Sequence, residues 1–252
     1  MSTYSELQNT LNANIEDVYK LAEFDHLILD SAIRQLQSLE AKLNKEHFID
    51  NPALTARNTR ISLENIRTND SLRLRFETIN NQCVVLLVSL FASSLGDLFR
   101  SAITYSARSG YGKSIIEEEL KLTVGELLSS DFDISDRIGY LIQDKKDISF
   151  QDMKSIGRAF RDYFEIEVER DEVVNNLIMA QAARHVIVHD GARINERLLS
   201  RVKSAFPRKL LPSLPSNGFI KIQEQDLRLI GGDMLRYFER VRFAVEAVLS
   251  VA

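Results

Sequence analysis

Apolar residues recur at steps of three and four along almost the whole chain, a period that suits helices and leaves little room for sheet. From Tyr4 to Phe48 the series Leu7, Leu11, Ile15, Val18 and Leu21, then Leu29, Ile33, Leu36, Leu39 and Leu43, predicts two helices or one long bent one, stopped near Asn51-Pro52. Asn58 to Ser71 is polar and basic and is expected to be a joint. Thr68, Asn69, Asp70 and Ser71 then offer N-caps for a long helix from Leu72 to about Tyr105. Asn69-Asp70-Ser71 also matches a glycosylation triplet, which in a chain without an export signal reads as chance or as a cap.

Further on, Ser109-Gly110-Tyr111-Gly112 signals a loop, and Lys113 to Ser129 predicts one short helix or two. Asp131 to Asp147 is too mixed to assign. Ser149-Phe150-Gln151-Asp152 opens an amphipathic stretch through Met153, Ile156, Phe160 and Phe164, followed by a helix over Glu169 to His189, a break at Gly191, and a helix from Ile194 to about Phe206. Pro207, Pro212, Pro215 and Gly218 mark a loop that Phe219-Ile220-Lys221-Ile222 leaves as a short extended piece, and Glu224 onward closes the chain as a helix. The expected fold class is all-α, a helical bundle at residues 66–252 with an N-terminal helical extension at 1–65.

Composition narrows the setting. The longest apolar run, Cys83 to Leu95, is broken by serines and falls short of the roughly twenty residues of a spanning helix, so it reads as a core helix and no membrane is expected. Met1-Ser2-Thr3-Tyr4 does not begin a secretory signal, and the lone Cys83, set among apolar residues, reads as a buried thiol. Both suit a cytoplasmic protein. The formal net charge of -4 gives no global attraction for nucleic acid, so any such function must rest on a local patch. One exists between Ala182 and Lys209, where Arg184, Arg193, Arg197, Arg201, Lys203, Arg208 and Lys209 face only Asp190 and Glu196.

Inside that patch, Arg184 and His189 are the residues with the sharpest chemical meaning. A neutral imidazole takes the proton of an RNA 2′-hydroxyl near neutral pH, and a guanidinium stabilises charge building on the phosphate, so the pair needs no metal or other cofactor. Five residues of helix rotate by about 140°, however, so the two side chains do not share a face. The reach of the arginine, a helix end loosened at Gly191, or a second copy of the chain would have to bring them together. Arg193, Arg197 and Arg201, at four-residue steps, are expected along one helix face, as an RNA-phosphate row or as a solvated face beside Glu196.

Two rival motifs share the region. Ala107-Arg108-Ser109-Gly110-Tyr111-Gly112-Lys113-Ser114 fits a loose phosphate-binding loop, which would need a strand before it and an acid ending another strand, imitated by Val186 to Asp190. His185 and His189 stand four apart, as metal ligands often do, but no third ligand is apparent and no metal site is expected. His26 and His47 read as structural.

Ala183-Arg184-His185-Val186-Ile187-Val188-His189-Asp190-Gly191, followed by Asn195-Glu196-Arg197-Leu198, resembles the signature of the HEPN (higher eukaryotes and prokaryotes nucleotide-binding) domain family, R-x4-H ribonuclease type. Arg184 matches the family arginine, His185 the polar position after it, His189 the catalytic histidine and Gly191 the turn. The resemblance extends as a pattern of helices from about Leu72 to the C-terminus. It implies a HEPN-like bundle, a homodimer with a composite active site, and metal-independent cleavage of RNA to a 2′,3′-cyclic phosphate with Arg184, His185 and His189 as catalytic residues. It also implies a toxin or anti-phage effector restrained by an antitoxin or other regulatory partner. The alternative is a non-catalytic helical dimer that binds a nucleotide, an RNA or a partner protein.

Overall fold

The structure is a computed structural model and describes residues 3–43, 52–68, 74–110, 113–128 and 134–250. Its regular structure is all helical: α1 (Thr3–Leu43), α2 (Pro52–Thr68), α3 (Leu74–Ser109), α4 (Lys113–Ile116), α5 (Val124–Leu128), α6 (Ile138–Lys145), α7 (Met153–Phe164), α8 (Glu172–His189), α9 (Glu196–Val202) and α10 (Glu224–Ser250). Among the described residues the one extended pairing is an isolated antiparallel bridge between Arg193 and Phe219. The fold is all-α, as the periodicity requires.

α3 is the axis around which the others pack, touching α1, α6, α8 and α10. By length and hydropathy it could span a membrane, but its Cys83, Val84, Leu87, Val88, Phe91, Leu95, Leu98 and Phe99 lie buried in the core. Burial pushes the Cys83 thiol above its ordinary pKa, which suits an inert side chain. Phe99 sits edge-on or tilted to Phe150, Phe160, Tyr163 and Phe164 at centroid distances of 5.5, 5.8, 5.4 and 5.9 Å, joining α3 to α7.

The first half of α1 joins this core through Leu11, Ile15, Val18 and Ala22. Its approach to α10 depends on Gly231, where a Cβ would come within 2.0 Å of the Tyr19 hydroxyl and 2.8 Å of the Ile15 side chain. The second half of α1 pairs with α2. There the expected joint from Asn58 is helical through Thr68: Ala53 and Ala56 are buried, Arg60 pairs with Glu40 at 3.1 Å and Arg67 with Asp30 at 2.6 Å, so the polar stretch has partners on α1. Residues 69–71, with the glycosylation triplet and the cap residues, lie outside the described residues.

Two other expectations change. The unassigned stretch from Asp131 to Asp147 contains α6, whose Gly139 lies so close to α3 that a Cβ would meet the Arg100 carbonyl oxygen at 2.3 Å. The phosphate-binding-loop reading loses its supports: the residues before Gly110 are the last turns of α3, and Val186 to His189 is the end of α8, so neither required strand exists at those positions.

α8 carries the largest share of buried polar chemistry. Asp171 caps it, accepting the Val174 N–H at 3.0 Å while taking Arg240 of α10 at 2.6 Å. From Val173 to Ala183 nearly every residue is buried, including Asn175, Asn176 and Gln181. Asn176 donates to Asp233 Oδ2 at 2.7 Å and accepts the N–H groups of Lys209 and Leu210 at 2.9 and 3.0 Å. Asn175 donates to the Pro207 carbonyl at 3.0 Å. The loop after α9 is thereby bonded to the middle of α8.

Asp233 is 1% exposed. Burial, with smaller contributions from Glu172 and Asp171, raises its pKa against the opposing Asn176 hydrogen bond and the Arg236 ion pair. A carboxyl with a folded pKa above its unfolded value binds more protons when folded, so folding loses stability as pH rises from the unfolded pKa to the folded one. Asp233→Asn should remove that dependence. Urea unfolding of both proteins should show the wild type gaining on the variant as pH falls from neutral toward 3.8, by at most about 1.4 kcal/mol per pH unit for the one proton. A difference that does not change with pH would show that Asp233 does not titrate in this way.

Candidate active site

α8 surfaces only in its last turn. Arg184 and His185 are half-buried and Val188 and His189 are exposed, directly after the buried Ala182 and Ala183. The helix stays regular to His189 and is closed by Asp190, whose N–H reaches the Val186 carbonyl at 2.9 Å, with the Ala192 N–H on the same carbonyl at 3.0 Å. Gly191 and Ala192 both have positive φ, 58° and 63°, which reverses the chain. Asn195 then does two things: its side-chain oxygen caps α9 by accepting the Leu198 N–H at 2.9 Å, and its NH₂ donates to Asp190 Oδ2 at 3.0 Å. One side chain ties the end of α8 to the start of α9.

That turn brings the histidine pair and the arginines together. His185 and His189, about 40° apart around the helix, have ring centroids 4.7 Å apart. His185 is held below its ordinary pKa by burial first, then by the nearby charges of Arg201 and Arg197 and by His189, with Asp190 opposing. Arg197 and Arg201, one turn apart on α9, are thus near enough to His185 for their charges to act on it. Neither they nor Arg184, Arg193 and Lys203 have an ion-pair partner among the described residues, and Glu196 neutralises none of them. The other basic residues of the patch are occupied: Arg208 is buried against the carbonyls of Val202, Ala205 and Leu211, and Lys209 pairs with Glu172 at 2.9 Å.

The expected arginine row is shorter than its spacing suggests. Arg193 is not on α9, because its backbone is in the bridge to Phe219 and the helix starts only after the Asn195 cap. Arg184 stands apart from the histidine face, as the 140° rotation requires. Its Nε is buried without a hydrogen-bond partner, and so is the Nε2 of Gln181, three residues earlier on the same helix. Two such donors within one turn are costly to leave unmade, about 1–3 kcal/mol each. Spacing could not single out Gln181, since the signal is its burial. The helix expected from Ile194 to about Phe206 is shorter, because Asn195 is its cap and it runs only over Glu196–Val202.

No group of three His, Cys, Asp or Glu side chains is placed to hold a metal ion among the described residues. No family model matches the chain, and neither does any curated protein or solved structure.

The local electrostatics can be checked without substrate. Replacing Arg197 and Arg201 together by Gln should raise the pKa of His185 toward its ordinary value, followed by the ring proton shifts in NMR. The imidazole should still titrate somewhat low, because burial is the largest cause. An unchanged titration would place the arginines too far away to act on it.

Proposed function

We propose that this chain is an endoribonuclease of the HEPN type, cutting RNA through its own 2′-hydroxyl without a metal, and that it acts as a toxin or anti-phage effector. The observation that carries the reading is the pairing of His185 and His189, ring centroids 4.7 Å apart at the one exposed turn of a buried helix, with the charges of Arg197 and Arg201 close enough to act on His185. Two imidazoles and uncompensated guanidiniums are the groups that in-line attack by a 2′-hydroxyl calls for.

In this reading His189, the more exposed of the pair, takes the 2′-hydroxyl proton as the 2′-oxygen attacks the adjacent phosphorus. The bond from phosphorus to the 5′-oxygen breaks, leaving a 2′,3′-cyclic phosphate on one fragment. The proton that His189 has taken passes to the neutral His185 ring beside it and from there to the departing 5′-oxygen, so that both imidazoles end neutral. The lowered pKa of His185 keeps its ring neutral near pH 7 and available to accept a proton. Arg184 holds the scissile phosphate with its guanidinium, while Arg197 and Arg201 hold flanking phosphates.

Since Arg184 and His189 diverge on one helix, the complete site is a cleft between two copies of the chain, each offering the end of α8. A symmetric pair meeting there would bring an arginine of one copy beside a histidine of the other.

Purified His189→Ala protein should lose cleavage of labelled RNA by about 10²- to 10⁴-fold with its thermal unfolding unchanged, since His189 is exposed and the substitution removes no core contact. Wild-type cleavage should persist in EDTA. Activity retained by His189→Ala would overturn the assignment of the base, and loss of cutting in chelator would overturn the metal-free mechanism.

A further inference from the structure

The bridge between Arg193 and Phe219 lies next to the candidate site and has no part in the reaction. Two hydrogen bonds flank it, from the Ile194 N–H to the Gly218 carbonyl at 2.9 Å and from the Ile220 N–H to the Ala192 carbonyl at 2.8 Å. Along this pairing Ala192, Ile194 and Ile220 turn inward and are 8%, 4% and 2% exposed, which sends Arg193 and Phe219 out to the solvent side. Phe219 is 56% exposed, an aromatic ring presented to water from a frame bonded on both sides. The Arg193 guanidinium carbon lies 5.7 Å from the ring centroid and has no acid partner among the described residues. His189 is four residues upstream of Arg193, so their Cα atoms are at most about 14 Å apart, and the reversal at Gly191 and Ala192 draws them closer.

An exposed ring on a rigid backbone beside a free guanidinium matches what an unpaired base and its phosphate need: a π-face to stack on and a cation for the backbone. In a duplex the base faces are covered by their neighbours and cannot meet the ring. We infer that Phe219 and Arg193 form a stacking platform that restricts the site to single-stranded RNA, with a base on Phe219 and its phosphate on Arg193. This deepens the ribonuclease reading and rests on RNA being the ligand, but it makes a separate claim about strand state.

The chain contains no tryptophan. Phe219→Trp in a His189→Ala background therefore places a single reporter on the platform. Titration with a short oligoadenylate should quench its fluorescence, and an RNA duplex of the same length should not. Phe219→Ala in the same background should weaken oligoadenylate binding about 10-fold while leaving duplex binding unchanged, and Arg193→Gln should lower the salt dependence of binding by about one phosphate contact. Quenching by single strands alone supports the platform. Fluorescence that stays unchanged, quenching equally by duplex, or wild-type affinity in Phe219→Ala overturns it.

The two claims fail differently. Quenching without any cleavage by the His189-containing protein would retain the platform and remove the nuclease. Cleavage with an unchanged KM for unpaired RNA in Phe219→Ala, His189 intact, would retain the nuclease and remove the platform.

Discussion

The buried side chain of Asn176 joins three parts of the chain that would otherwise be placed independently. It donates to Asp233 on α10 and accepts two backbone N–H groups, of Lys209 and Leu210, from the segment that follows α9. Any of these groups left buried and unmet would cost about 1–3 kcal/mol, so the segment has one favourable seat, against the middle of α8. Arg208 adds to the constraint by binding the carbonyls at the end of α9. With Asn195 fastening the front of α9 to Asp190, the helix is held at both ends, which keeps Arg197 and Arg201 within electrostatic reach of His185.

The electrostatic character of the site follows from the same frame. Cations outnumber acids throughout this stretch, yet the frame consumes only Arg208 and Lys209, and Asp190 is engaged with Asn195. Among the described residues Arg184, Arg193, Arg197 and Arg201 are left without acidic ion-pair partners at the ends of α8 and α9, on a protein that is negative overall. Excess local charge of one sign is destabilising unless a ligand of the other sign relieves it. A polyanion crossing the ends of α8 and α9, as the proposed reaction requires, would do so.

Much of the fold was legible because period and burial agree. The apolar steps of α3, α7 and α10 correspond to their buried faces, and Phe219 to Ile222 was marked as extended by its flanking turn residues. α6 was not legible because its short apolar set is interrupted by Gly139, needed for the close approach to Arg100 rather than for helix formation. The second half of α2 carries few apolar residues, and its helix depends on ion pairs with α1 that no local pattern reveals. Within the site, the four-residue spacing of His185 and His189 was enough to place them on one face. The separation of Arg184 from that face was equally predictable from helix geometry. Arg193 departed from its row because a backbone pairing with a residue 26 positions later took precedence over local periodicity.

In the proposed reaction the RNA itself supplies the attacking oxygen and the α8 imidazoles move its proton. The termini of the fragments made by the purified wild-type protein report on this most directly. The upstream fragment should end in a 2′,3′-cyclic phosphate and the downstream one should begin with a free 5′-hydroxyl. Fragments ending in a 3′-hydroxyl and a 5′-phosphate would show that water attacks instead, and would contradict it.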